Sequence, residues 1–263
     1  MIKRIFLLSF LLLFGCQTPP SKPPQKLMPP SKEKPREKQI FLVIDDAGLS
    51  IQQARRFLEI PIPMTIAVMP LRKYSREVAH LIANDPQKEI ILHQPMEAYN
   101  AKANPGAGAL FCAMQPNQVP AILQKNLQTV PNAVGMNNHM GSRLTENTAL
   151  MHAVLSYCQN HHLFFLDSKT AYNSQVPRVA AQLHMHMEQR DVFLDIKHDR
   201  ASIEKMWNQT IRKAQQNGYV ISIGHAWSAE TAATIRESFK QLQKEGYTFH
   251  RLSELYRKPA FKK

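Results

Sequence analysis

A chain of 263 residues with 44% hydrophobic content has apolar material for one large domain or two small ones, which excludes disorder throughout. A net charge of +13 would suit a nucleic-acid groove only if it were spread over a folded face. Instead, eight basic residues stand against Glu33 and Glu37 before residue 39, and Arg257, Lys258, Lys262 and Lys263 close the chain, leaving a net charge of only three between. No nucleic acid is expected as a partner; basic tails beside an anionic membrane or wall polymer fit this distribution better.

At the amino terminus MIKR supplies a positive start, IFLLSFLLLF a short apolar run, and Gly15-Cys16 a small residue before cysteine. Residues 1–16 therefore read as a secretory signal. The run is shorter than the roughly 20 apolar residues a spanning helix needs, so a permanent transmembrane helix is the lesser reading. LLFGC resembles a bacterial lipobox, which implies a lipidated Cys16 as mature amino terminus and attachment to a membrane through it. By the same resemblance Gln17, where an inner-membrane lipoprotein has Asp, favours the outer membrane and an exported, periplasmic-side protein. A plain cleaved signal is the alternative. Residues 17–38, rich in Pro and Lys, are expected to form an extended, solvated tether. Cys112 and Cys158 are in a compartment that permits disulfides, but two cysteines give no framework, so a bridge and two buried thiols both stay open.

From residue 39 to 257 strand-like and helix-like segments alternate. QIFLVIDD is a continuous apolar run ended by acids and Gly48, the pattern of a strand buried on both faces of a parallel sheet, and Ser50 is placed to cap the helix that follows. Apolar runs recur at MTIAVM, EIILH, AVGMN, LFFLD, DVFLD and YVISI. Helix-like stretches run from Arg76 to Asn84, Gln118 to Thr129, Asn147 to Asn160, Ile203 to Asn217 and Glu230 to Glu245. About seven such units predict an α/β fold, a closed or nearly closed (β/α) barrel of about seven parallel strands. Ala98 to Gly108 is longer than an ordinary connection and is expected to border the site. Residues 258–263 read as a basic tail.

Side chains at the carboxyl ends of barrel strands converge in space. Here those ends carry Asp45 and Asp46, His93 and Glu97, Asn137, Asn138 and His139, Asp167, Asp191 and Asp195, and His225. A lone strand-end histidine is more often a structural hydrogen-bonding group, but three beside a double aspartate point to a metal site. Adjacent strand residues face opposite ways, so Asp45 and Asp46 can share one site only where the backbone turns, and Ala47-Gly48 is expected to supply that turn. Met136, Met140, Met151, Met185 and Met187 lack soft-metal spacing and are expected to pack the core. His161, His162 and the HMHM run from His184 to Met187 are left outside the site.

IDDAG, LHQPME, GMNNHMGS, FFLDSKT, RDVFLD and SIGHA occur in that order between Phe41 and His225. As a set they resemble the successive motifs of the divergent polysaccharide deacetylase family, over about Gln39 to Tyr256. The resemblance implies kinship with the larger polysaccharide deacetylase superfamily, whose members use a distorted β/α barrel and a divalent metal to remove acetyl groups from amino sugars. That superfamily has a histidine pair separated by three residues, where LHQPME offers His93 and Glu97. The implied ligands are Asp46, His93 and His139, with Glu97 an additional ligand or a group behind them. Zinc is the implied metal, since two imidazoles and a carboxylate with an open position suit hydrolytic zinc. Asp45 resembles the superfamily's general base and His225 the histidine that protonates the leaving group. Among supporting residues, Asn138 is expected to contact substrate or back the ligands, Arg143 to orient the base or bind substrate, and Asp167 to orient His225 or bind sugar hydroxyls. A structural ion pair between Arg143 and Asp167 is the plain alternative. Trp227 is expected to stack on a sugar ring or to cover the barrel rim.

The resemblance thus implies a metal-dependent hydrolase removing acetyl groups from an envelope glycan, with peptidoglycan the nearest polymer for a tethered enzyme. Glu97 at the histidine position motivates the alternative, a non-catalytic glycan- or partner-binding lipoprotein that kept the fold. A two-carboxylate glycosidase fits less well, because its acids stand about 5 to 9.5 Å apart across the bond.

Overall fold

The protein is described by a computed structural model over residues 37–257. The signal with Cys16, all but the last two residues of the tether, and the basic tail lie outside the described residues. The apolar runs form β1 (Lys38–Ala47), β2 (Met64–Val68), β3 (Lys88–Met96), β4 (Ala133–Met140), β5 (Phe164–Asp167), β6 (Glu188–Gln189), β7 (Val192–Phe193), β8 (Tyr219–His225) and β9 (Tyr247–His250). Between and after them lie α1 (Ile51–Leu58), α2 (Ser75–Ala83), α3 (Val119–Leu127), α4 (Thr148–Asn160), α5 (Val176–Gln182), α6 (Arg200–Asn217), α7 (Ala229–Lys244) and α8 (Ser253–Arg257). Ser50 caps α1 as expected, its hydroxyl accepting from the Gln53 N–H. No helix among the described residues is long and apolar enough to cross a membrane.

Every strand pair is parallel, in the order β6-β5-β4-β3-β2-β1-β8-β7, with β9 beside the first half of β1. The outermost strands, β6 and β7, are consecutive in the chain, separated only by Arg190 and Asp191. The Arg190 N–H donates to the Asp167 carbonyl at 3.0 Å and the Asp191 N–H to the Ile221 carbonyl at 2.8 Å. One short segment therefore bridges the two ends of the curled sheet and makes a distorted barrel. The DVFLD run forms a strand only at Val192–Phe193, because its register serves that bridge.

Alternation along the strands puts one set of apolar side chains under the helices and another inside the barrel. Phe41 and Val43, Ile91, Leu166, and Ile221 and Ile223 fill the interior, and Leu252 and Leu255 join them. Two residues further along three of these inward columns come Asp45, His93 and His225, and on β4 the column through Gly135 continues to Asn137 and His139. The polar site is thus the top layer of the barrel interior.

Lower in that interior Gly135 pairs with Phe164. A methyl group on Gly135 would fall 2.5 Å from the Phe164 ring, which is itself stacked on Tyr256 at 4.4 Å. Gly135→Ala is expected to destabilise the fold by about 1–3 kcal/mol through overpacking, read as a lower denaturant midpoint; an unchanged midpoint would show that the stack yields freely.

Candidate active site

The backbone first solves the problem of the adjacent aspartates. β1 pairs with β2 at Ile44↔Ile66 and again at Ala47↔Val68, so β1 accommodates one extra residue. Within this bulge Asp46 adopts the left-handed φ of 61°, a conformation Asp tolerates better than most residues. Bulges beside sites re-aim a side chain in this way. The turn expected from Ala47-Gly48 therefore begins at Asp46 itself, and Gly48, φ 104°, carries the chain onward.

The re-aimed Asp46 Oδ1 lies 3.0 Å from His139 Nδ1 and 3.3 Å from His93 Nε2, and those nitrogens are 3.1 Å apart. The distances are short, but Oδ1 is buried and accepts no aligned hydrogen bond, while Oδ2 accepts from Trp227 Nε1 at 3.1 Å. Burial works to raise the proton affinity of Asp46; the contacts with His139 and His93 outweigh it and hold the carboxyl well below the usual carboxylate range.

Asn137 sits across from His93 in the β3–β4 register. Its amide nitrogen donates to Asp45 Oδ1 at 2.8 Å and lies 3.2 Å from Ser168 Oγ. Its carbonyl oxygen therefore faces His93 Nδ1, at 2.7 Å, and as an acceptor requires the proton on that nitrogen. In the neutral ring this leaves the Nε2 lone pair pointing at Asp46 and His139. Donor atoms of Asp46, His93 and His139 all lie within 4.8 Å of one another. A buried carboxylate oxygen lacking a hydrogen bond, beside an imidazole locked in its ligating tautomer, fits a divalent cation.

On one side of this cluster is Asp45, buried and 3.7 Å from His93 Nε2 through its second oxygen. Burial pushes its carboxyl pKa up, against the charges of His93 and His225. His225 stands opposite Asp45 in the β1–β8 register. Its Nδ1 meets Asp195 Oδ1 at 2.6 Å, and the other Asp195 oxygen accepts from the His225 backbone N–H and the Thr231 hydroxyl. Burial works to lower the His225 pKa, but the hydrogen bond and charge of Asp195, with the charges of Asp45 and Asp46, push it up to about 9. The ring lies between Phe193, at 5.8 Å, and Trp227, at 5.1 Å.

The structure brings together Asp45, Asp46, His93, His139, His225 and Trp227 and places other expected residues elsewhere. Glu97 follows the end of β3, and its carboxylate accepts from the Arg143 guanidinium at 2.7 Å and from the Cys112 N–H. It is therefore outside the ligand cluster and bonds no ligand. Arg143 accordingly pairs with neither Asp45 nor Asp167. Asp167 is buried, accepting from the Lys169 N–H, Ser174 and Gln189; Asp195, not Asp167, holds His225. Asn138 faces away from the cluster, tying the Met140 carbonyl, Thr170 and the Ser168 N–H together. Asn137, Asp195 and Arg190 also belong to the site, with roles that only their partners reveal; Arg190 donates to the Ser168 and Lys169 carbonyls and lies 3.8 Å above the Phe193 ring. Cys112 and Cys158 are free, Cys158 buried within α4; Met136 and Met151 belong to the core, Met185 and Met187 pack against it, and Met140, at a left-handed φ of 52° past the inward column, is only half-buried and not part of it.

A family model described as divergent polysaccharide deacetylase matches residues 42–256. The uncharacterized protein YibQ of Escherichia coli strain K12 is 34% identical over 186 residues, 71% of this chain but only 58% of that protein's length. Among solved structures, the uncharacterized protein ATU2773 of Agrobacterium tumefaciens C58 matches with a TM-score of 0.78 at 22% identity, over 84% of this chain and 89% of that one. BA3943 of Bacillus anthracis, described as a CE4 family pseudoenzyme, matches with a TM-score of 0.51 at 15% identity, over 85% of this chain and 66% of that one. At such identities the structural likenesses are likenesses of fold.

Metal content measured on purified protein separates the roles. Asp46→Ala, His93→Ala and His139→Ala are each expected to abolish stoichiometric metal, whereas Glu97→Gln retains it. Asn137→Ala, which releases the His93 tautomer, is expected to weaken metal affinity by about 10–100-fold. Equal metal loss from Glu97→Gln would return that carboxylate to the ligand set.

Proposed function

The chain belongs to the divergent polysaccharide deacetylase family, and from that premise we propose that it is a metal-dependent hydrolase removing acetyl groups from an amino-sugar polymer of the cell envelope. One observation carries the reading: the Asp46, His93 and His139 cluster is flanked by a buried carboxylate, Asp45, and by an imidazole held charged, His225. Amide or ester hydrolysis needs an electrophile, a base and an acid, and that arrangement supplies a place for each.

Asp46, His93 and His139 would hold the cation, with zinc the metal their donor types favour. A divalent metal there supplies Lewis-acid polarisation of the acyl group. Asp45, its orientation fixed by Asn137 and its proton affinity raised by burial, takes the proton of the attacking water. His225 is engaged through Nδ1 by Asp195, which leaves Nε2–H as the proton it gives to the leaving group. Trp227 ties these parts together, bonding Asp46 while its ring lies against His225. The amino-terminal resemblance to a lipobox supports export and lipid anchoring through Cys16 at the outer membrane, which makes peptidoglycan the nearest polymer. The fold shared with the pseudoenzyme BA3943 supports a second reading, a glycan-binding protein without turnover.

Metal-loaded protein is expected to release acetate from N-acetylated amino-sugar oligomers or from peptidoglycan, with the release lost to chelator and lowered about 10²–10⁴-fold by Asp45→Asn. No acetate from any envelope glycan, with metal confirmed bound, would leave only the binding reading. The raised His225 pKa sets the alkaline side of the profile: the acid is present below about 9 and lost above it. Its stabilising pairing with Asp195 is complete below the ordinary histidine value of about 6.5 and fades as pH rises through the folded value. In Asp195→Asn the alkaline limb of the rate is expected to move down toward about 6.5; an unmoved limb would assign it to another group.

A further inference from the structure

Six large hydrophobic side chains are exposed among the described residues, and five of them follow the carboxyl ends of strands: Leu49 after β1, Tyr99 and Phe111 after β3, Tyr172 after β5, and Ile196 after β7. They stand on the loops that surround the cluster of Asp46, His93 and His139. Tyr172 is 99% exposed and Ile196 70%, yet their loops are anchored. The Thr170 hydroxyl donates to the Met140 carbonyl at 2.8 Å, Ser168 Oγ contacts Asn137, and Arg190 holds the Ser168 and Lys169 carbonyls. Beyond β7, the His198 ring lies 4.7 Å from Trp227, which bonds Asp46.

The charges on these loops are unbalanced. Glu97 is engaged by Arg143, Glu146 by the Tyr99 hydroxyl and Asp195 by His225. Lys169 and Lys197 are exposed, and among the described residues neither is in an ion pair. Asp199, exposed on the loop of Lys197, caps α6 through the Ser202 N–H and offsets part of the Lys197 charge; with the other acids engaged, the charge left open beside the mouth is positive, set among aromatic and aliphatic faces. Aromatic faces cover the apolar faces of sugar rings, while unpaired ammonium groups complement negative charge and select against neutral chains.

We propose that the barrel mouth takes an anionic amino-sugar polymer, one bearing carboxylates along the strand, with Lys169 and Lys197 as charge contacts and Tyr172 as a stacking platform. The proposal rests on the glycan-binding part of the reading above and not on turnover.

Binding of the full chain, loaded with metal, to two N-acetylated oligosaccharides of equal length is the test: chitin oligomer, which is neutral, and hyaluronan oligomer, which alternates uronate with N-acetylglucosamine. The acidic oligomer is expected to bind roughly 3–10-fold more tightly at low salt, the preference shrinking toward none at about 0.5 M salt as screening shortens. Lys169→Asn, suited to the left-handed backbone at that residue (φ 53°), combined with Lys197→Gln, is expected to remove the preference, while Tyr172→Ala weakens both oligomers alike. Equal or tighter binding of the neutral oligomer, no binding of either, a preference that survives the double lysine variant, or equally tight binding of a poly-glutamate peptide would overturn the proposal. Acetate release measured in parallel keeps the readings apart: an active protein without charge preference sinks only this inference, and a charge-selective protein without turnover sinks only the catalytic one.

Discussion

A single buried amide sets the terms for the rest of the site. Asn137 has one donor end and one acceptor end, and the fold spends them on different partners: the nitrogen on Asp45, the oxygen on His93. A carboxylate in its place would face Asp45 with like charge, and an apolar residue would leave Asp45 Oδ1 and His93 Nδ1 buried without their hydrogen bonds, which costs on the order of 1–3 kcal/mol per group. Because the same amide fixes the orientation of the proposed base and the tautomer of the proposed ligand, the two halves of the site cannot drift independently around it.

The barrel makes that amide possible. Parallel register puts His93 beside Asn137 and Asp45 beside His225, so the inward columns of β4 and β3 and, across β2, those of β1 and β8 end in polar groups at one level. Only Asp46 breaks the alternation, and it does so through a left-handed residue within a bulge, at a conformational cost of about 1 kcal/mol. The burial beneath, from Phe41 through Ile223, keeps the layer dry on its lower side and is the reason Asp45 holds its proton more tightly than an exposed aspartate.

The parts of this arrangement that were legible in the sequence share one property: each is a charged or imidazole side chain ending an apolar run. That rule found Asp45, Asp46, His93, His139 and His225, and the alternation of runs gave a barrel of parallel strands. It failed where chemistry depends on partners instead of on position. Asn137 is neutral and adjoins a second asparagine, so nothing in GMNNHMGS tells which one faces inward; register with His93 decides it. Glu97 keeps the strand parity of His93, but its backbone has already left β3 to bond Leu110, Arg143 and Leu144, and its carboxylate goes with the loop. Asp167 and Asp195 end similar runs, and only the bridging of β5 and β8 by residues 188 to 193 determines which one reaches His225.

That bridge also divides the site by origin. Asp46, His93 and His139 come from strands in the continuous middle of the sheet, whereas Arg190 and the Phe193 ring against His225 come from the short segment where its ends meet, and Asp195 from the residues just after it. That segment pairs on either side through strands of only two residues, β6 and β7, where β1, β3 and β4 are eight to ten residues long. A substitution in or just after that segment therefore reaches the partner and the stacking ring of His225 without passing through Asp46, His93 or His139, so the proposed proton donor can be disturbed while the candidate cation cluster keeps its geometry.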